Sequence, residues 1–162
     1  MKIGIVSDTH NNLRNVQRIV ELFNASGVER VIHTGDITQA KTLDIFAHLD
    51  VPLYGVYGNN DEGEREALEL AVARYGFIFH EPPFVLDWHE RSIMVVHDPL
   101  EFSGHLSSAN DLALHGHTHL YRYERKAGQV IFNPGECAGH MLGFNAIGVL
   151  DLADLSAELI RF

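Results

Sequence analysis

Met1-Lys2-Ile3-Gly4-Ile5-Val6-Ser7-Asp8-Thr9-His10 opens the chain, and an apolar run here breaks off into a polar Asp-x-His. Lys2 to Ser7 has the length and composition of a buried strand. From Asn11 to Ser26 the spacing of Leu13, Val16, Ile19, Val20 and Phe23 predicts an amphipathic helix, with Gly27 as its stop. Arg30 to Thr34 reads as a second strand, about Gln39 to Leu49 as a helix, and Pro52 to Tyr57 as a third strand. A βαβαβ start requires at least part of the sheet to be parallel. A further helix is expected over roughly Glu62 to Tyr75.

Beyond Tyr75 the pattern changes. Phe77–Phe79, Phe84–Leu86, Ile93–His97, Leu112–Leu114, Tyr121–Tyr123, Val130–Phe132, Ala146–Leu150 and Glu158–Phe162 are short apolar or alternating runs. Turn residues separate most of them, so the second half is expected to be mostly β. The expected fold is therefore of the α/β (α+β) class, a four-layer αββα sandwich of two mixed sheets flanked by helices. No repeat, low-complexity segment or linker interrupts it, and residues 1–162 are read as a single domain.

The formal net charge of −10 argues against a basic surface that tracks a nucleic-acid backbone, so no stable nucleic-acid partner is expected. It leaves a phosphate substrate open, because divalent cations reverse the local field in a pocket. No apolar run has the length of a membrane span. The start lacks a signal-peptide apolar region, and Cys137, the single cysteine, allows no intrachain disulfide. A cytoplasmic protein is expected. Eleven histidines are many for this length, and their positions carry the meaning.

The polar residues of interest fall where strands are expected to end. These are Ser7-Asp8-Thr9-His10, Gly35-Asp36, Gly58-Asn59-Asn60-Asp61, His97, and His115-Gly116-His117-Thr118-His119. Loops at the carboxyl ends of parallel strands converge on one crevice, and the neighbouring glycines permit tight turns there. Asp8, His10, Asp36, Asn59, His97, His117 and His119 offer the carboxylate, amide-oxygen and imidazole donors that a pair of borderline divalent cations needs. One carboxylate must bridge two ions spaced about 3.5–4 Å apart; Asp36, midway through the set, is the expected bridge. Singly each piece is a common turn or cap. All five in order, each at a strand end, are not a chance pattern.

With Asn133-Pro134-Gly135-Glu136-Cys137 added, these motifs resemble nearly end to end the calcineurin-like metallophosphoesterases, in particular the small stand-alone phosphodiesterases of archaea and bacteria. The resemblance implies the αββα sandwich, with one metal held by Asp8, His10, Asp36 and His119 and the other by Asp36, Asn59, His97 and His117. It implies a hydrolase of phosphoric esters, with a small phosphodiester as substrate and metal-bound hydroxide as nucleophile. The donor set suits Mn²⁺, the favoured ion, as well as Ni²⁺, Zn²⁺ or Fe²⁺. Phosphomonoester hydrolysis is the second reading. A third is a non-catalytic protein-interaction module like the retromer subunit, and the filled ligand positions argue against it.

Two departures from the family pattern are visible. Asp98-Pro99 follows His97 where a glycine is common, and Asn60 stands where the phosphoprotein phosphatases carry a histidine that protonates the leaving group. Asn60 is expected to contact phosphate. His48, His80 and His89 are read as ordinary surface groups, and His33 and His115 as core groups or groups orienting a ligand. His105 and His140 are read as groups that could border the pocket. Asp61, Glu62, Glu64 and Glu66 are read as charges complementing a helix N-terminus, Cys137 as a small buried side chain, and Asn133-Pro134-Gly135 as a turn beside the site.

Overall fold

A computed structural model describes residues 1–162. β1 (Lys2–Val6) turns Ile3 and Ile5 into one core cluster and Val6 into another, so it has no solvent-facing side. Burial on both faces is why it reads as an unbroken apolar run and not as an alternation. The Asn12 side chain caps α1 (Leu13–Ser26) by accepting from Asn15 N at 3.2 Å, and Gly27 ends it at φ +70°. Val16, Ile19, Val20 and Phe23 form its buried stripe, as their spacing predicts.

β2 (Arg30–His33), α2 (Ala40–Phe46), β3 (Leu53–Val56), α3 (Arg65–Tyr75) and β4 (Ile78–His80) follow. The expected start of α3 at Glu62 is replaced by a 3-10 turn over Asn59–Glu64. All eight runs of the second half are strands: β4, then β5 (Phe84–Trp88), β6 (Arg91–Val95), β7 (Leu112–Leu114), β8 (Arg122–Lys126), β9 (Gln129–Asn133), β10 (Ala146–Asp151) and β11 (Ser156–Arg161).

The strands form two mixed sheets, ordered β11-β10-β1-β2-β3-β4 and β5-β6-β7-β9-β8. β1 to β4 run parallel, as do β6, β7 and β9, while the remaining pairs are antiparallel. Ile3, Ile5, Ile32 and Val56 of the first sheet pack against Ile93, Val95, Leu112, Leu114 and Phe132 of the second. The other face of the six-stranded sheet packs on Val16, Phe23, Leu43, Phe46 and Leu68 of the three helices. The outermost layer, over the five-stranded sheet, is thin. There the 3-10 turn Pro99–Phe102 and the loop after it bring Phe102 and Leu106 onto Met94, Val96 and Ala113. No helix is long and apolar enough to cross a membrane.

Candidate metal centre

Parallel strands end on the same edge, and that edge gathers the polar motifs. Asp8 and His10 follow β1, Asp36 follows β2, Asn59 follows β3, His97 follows β6, and His117 and His119 follow β7. The chain is bent sharply to aim them. Asp8 (φ +49°), His10 (+45°), Asp36 (+59°), His117 (+65°) and His119 (+58°) all adopt left-handed backbone, as does the β-branched Thr38 (+69°). That region is disfavoured for L-residues by about 1–2 kcal/mol, and such strain clusters where function demands a geometry.

The donor atoms converge around Asp36. His97 Nε2 lies 3.4 Å from Asp36 Oδ1, 3.0 Å from Asn59 Oδ1 and 3.3 Å from His117 Nδ1. His117 Nδ1 is in turn 3.1 Å from Asn59 Oδ1. On the other side, His10 Nε2 lies 3.7 Å from Asp36 Oδ2, and His119 Nε2 lies 3.5 Å from Asp8 Oδ1. The ring of His97 is fixed by its Nδ1, which donates to the Thr34 carbonyl at 2.8 Å. Asp8, His10 and His119 form one group whose donor atoms all lie within 4.8 Å of one another, and Asp8, Asp36 and His97 form a second.

Burial and the Asp36–His97 pair compete in setting the electrostatics. Burial would raise Asp36, but the His97 hydrogen bond and charge, with two donors from Asn60, outweigh it and hold this carboxyl well below the carboxylate range. Burial would lower His97, but Asp36 outweighs it and raises the imidazole to about 9. Burial dominates at Asp8, whose carboxyl is raised, and at His10, whose imidazole is lowered.

Divalent cations fit this donor set. His10 Nε2 is buried without a hydrogen-bond partner, and imidazole nitrogens and an amide oxygen crowd within 3.0–3.3 Å of one another with a carboxylate beside them. Lone pairs packed this way need a proton or a cation between them. Residues 1–154 match the calcineurin-like phosphoesterase superfamily domain. The chain belongs to that superfamily. It is 36% identical over 163 residues to a phosphodiesterase of Methanocaldococcus jannaschii, with 93% of each chain covered. A solved archaeal phosphodiesterase superposes with a TM-score of 0.90 at 33% identity over the full length of both chains. A phosphoesterase from E. coli shares the fold, with a TM-score of 0.70 at 23% identity over 99% of this chain and 98% of its own. The protein is accordingly a hydrolase acting on phosphoric esters, in a superfamily that uses divalent metals.

The structure brings all seven expected metal-site residues to one edge, and it adds a layer behind them. Asp61, expected to be a helix-terminal charge, is instead fully buried. Its carboxylate accepts from the backbone N–H groups of Gly58 at 2.7 Å, Asp36 at 3.1 Å and Thr38 at 2.6 Å. The reason is the tight 3-10 turn, which points Asp61 back under the β2 loop. His33 is also fully buried, accepting from Gly35 N at 3.1 Å through Nδ1 and donating through Nε2 to Thr9 Oγ1 at 3.0 Å. His115 is buried too, with Nδ1 at 3.0 Å from the Gly116 carbonyl. At Gly116 the backbone itself must pass close. A Cβ there would fall 2.8 Å from Asp8 Oδ2, whose carboxylate accepts from His117 N at 3.1 Å.

Asn133 braces the histidine turn, its amide donating to Thr118 Oγ1 at 3.1 Å while its oxygen accepts from Gly135 N at 2.9 Å. Asn60 lies against the site, its amide donating to Asp36 Oδ2 at 2.7 Å. Cys137 is buried, its thiol donating to the Ala146 carbonyl at 3.0 Å. His140 stacks on His119, with centroids 5.3 Å apart and planes within 6°. His48, His80, His89 and His105 are exposed. Glu136 carried no expectation and is fully buried behind His119. Its place in Asn133–Cys137 was the only signal in the sequence.

Proposed function

We propose that the protein is a phosphodiesterase that works with two divalent cations. Asp8, His10, Asp36 and His119 would hold one, and Asp36, Asn59, His97 and His117 the other, with Asp36 shared. The observation that carries the reading is the convergence on Asp36, with His97 and Asn59 at its Oδ1 side and His10 at its Oδ2 side. Such a pair, when bound, supplies an acidified water near neutral pH and positive charge facing the phosphoryl oxygens. The protein's own part is positioning. Thr34 fixes the His97 tautomer so that Nε2 faces the site, and the second hydrogen of the Asn60 amide is available to a phosphoryl oxygen.

The cleft beside Asn59, His97 and His117 supports diesters over monoesters. It measures about 580 Å³ and is lined by Glu62, Glu69, Glu81, Asp98 and Glu101. Its one arginine, Arg65, stacks over Tyr57 at 3.8 Å and is paired with Glu81. A dianionic monoester meets more repulsion on this wall than a monoanionic diester does. The 36% identity to a protein named a phosphodiesterase supports the same choice. The mixture of imidazole, carboxylate and amide-oxygen donors without sulfur suits Mn²⁺, Ni²⁺, Fe²⁺ or Zn²⁺, of which we favour Mn²⁺. We read residues 1–162 as one domain acting in the cytoplasm.

Metal analysis with a screen of diesters and monoesters tests the reading. Asp36→Ala should lose both ions and activity together, whereas His119→Ala should deplete one ion. Full occupancy in the Asp36 variant would overturn the shared carboxylate, and a preference for monoesters would overturn the substrate class.

A further inference from the structure

Outside the expected ligand set, Asp61 is not the only buried carboxylate behind the centre. Glu136 follows β9, is wholly buried, and is anchored by its own carbonyl accepting from Ala146 N at 3.1 Å. Oε2 lies 3.4 Å from His119 Nδ1, and the same oxygen accepts from His140 N at 3.3 Å. Oε1 accepts from Met141 N at 2.7 Å. His119 thus stands between two carboxylates, with Asp8 Oδ1 at 3.5 Å from its Nε2 and Glu136 at its Nδ1.

We propose that Glu136 is a positioning residue that aims His119 at its cation and ties that ligand to the rim loop carrying His140 and Met141. The proposal rests on the reading of His119 as a ligand through Nε2. An imidazole that ligates through Nε2 carries its proton on Nδ1, and a carboxylate at Nδ1 fixes that tautomer, holds the ring plane and makes the free nitrogen a better donor. A buried carboxylate needs donors in its turn, and the amides of His140 and Met141 supply them. His119 holds left-handed backbone at φ +58°, so its ring direction is not set by a regular helix or strand. The loop beyond is held lightly at its tip, where Leu142 is fully exposed. Ordering His119 by ligation orders Glu136, and Glu136 passes that order to the two loop amides.

The test is Mn²⁺ titration by calorimetry on wild type, Glu136→Gln, His119→Ala and the double variant, with amide exchange at His140 and Met141 before and after loading. Glu136→Gln should weaken by about 10–100-fold the same site that His119→Ala removes, leave the other site unchanged, and add nothing in the His119→Ala background. Exchange at Met141 should slow on loading in wild type and stay unchanged in Glu136→Gln. Wild-type affinity in Glu136→Gln, equal weakening of both sites, or an undiminished effect without His119 would each overturn the proposal. If Glu136→Gln fails to fold, wild-type exchange decides, and loop amides indifferent to Mn²⁺ overturn it. Two intact sites in His119→Ala would remove the ligand assignment itself, and the proposal with it.

Discussion

His33 offers a test of the buried layer that does not depend on activity. Its ring packs edge-on against Phe46 with centroids 5.6 Å apart, accepts from Gly35 N and donates to Thr9, so it is held neutral in one tautomer. Burial is the main cause of its imidazole falling from 6.5 to about 3. A depressed folded-state value means that the unfolded chain takes up the proton first. The stability this ring contributes is therefore complete above pH 6.5 and is lost as pH falls toward 3, at about 1.4 kcal/mol per unit. By pH 5 the loss is about 2 kcal/mol. His33→Leu removes the titration and leaves the Gly35 N–H without its acceptor, which costs about 1–3 kcal/mol at pH 7.5. Urea unfolding of chelator-treated protein should then find wild type more stable by about 2 kcal/mol at pH 7.5, the curves meeting near pH 5 and crossing below it. A gap that stays constant from pH 7.5 to 4.5 would refute a neutral, buried His33.

Three further perturbations follow from the site. With His97 raised to about 9 in the metal-free protein by Asp36 against the pull of burial, Mn²⁺ must expel a proton to use Nε2. Affinity should rise about tenfold per pH unit between pH 7 and 9, and a flat affinity across that range would refute the coupling. Asp61→Asn leaves at least one of the Gly58, Asp36 and Thr38 amides unpaired. It should cost about 2–4 kcal/mol in urea unfolding and lower Mn²⁺ occupancy; a loss under about 1 kcal/mol would mean that the turn stands without it. Asn60 cannot protonate a leaving group, so wild-type rates should fall steeply as diester leaving-group pKa rises, and Asn60→His should recover part of the general-acid factor of about 10²–10⁴. A flat wild-type series with chemistry rate-limiting would show that another acid already serves.

Most of the fold was legible because its strongest signals are local. α1 declares itself by Val16, Ile19, Val20 and Phe23, which form the stripe the helix buries. β1, buried on both faces, is an apolar run, and the βαβαβ connectivity commits β1 to β3 to a parallel edge. What was not legible is the thinness of the outer layer over β6 and β7. Phe102 ends a four-residue 3-10 turn and Leu106 lies in the loop after it, neither with an α-helical period, and which sheet face they cover is a tertiary fact. The 3-10 turn at Asn59–Glu64 was hidden for a related reason, since an acidic run before a helix has the composition of an ordinary N-terminal turn.

The ligand residues were readable because strand ends on one edge must meet, whereas the residues that hold them were not. Asp61 bonds to amides up to 25 positions away, and Glu136 faces a histidine on another strand's loop. No spacing rule reports such contacts. Yet these residues meet a need that the site's own geometry creates. Six left-handed residues, Asp8, His10, Asp36, Thr38, His117 and His119, at about 1–2 kcal/mol each oppose a net stability of about 5–15 kcal/mol typical of a domain. Local preference would relax those loops. The amides of Asp36 and Thr38 are pinned by Asp61, Gly35 by His33, and the amide of His117 by Asp8. Buried acceptors placed under strained turns are therefore part of the metal site's construction, and substitutions at Asp61 or His33 should disturb the site though neither side chain is a proposed ligand.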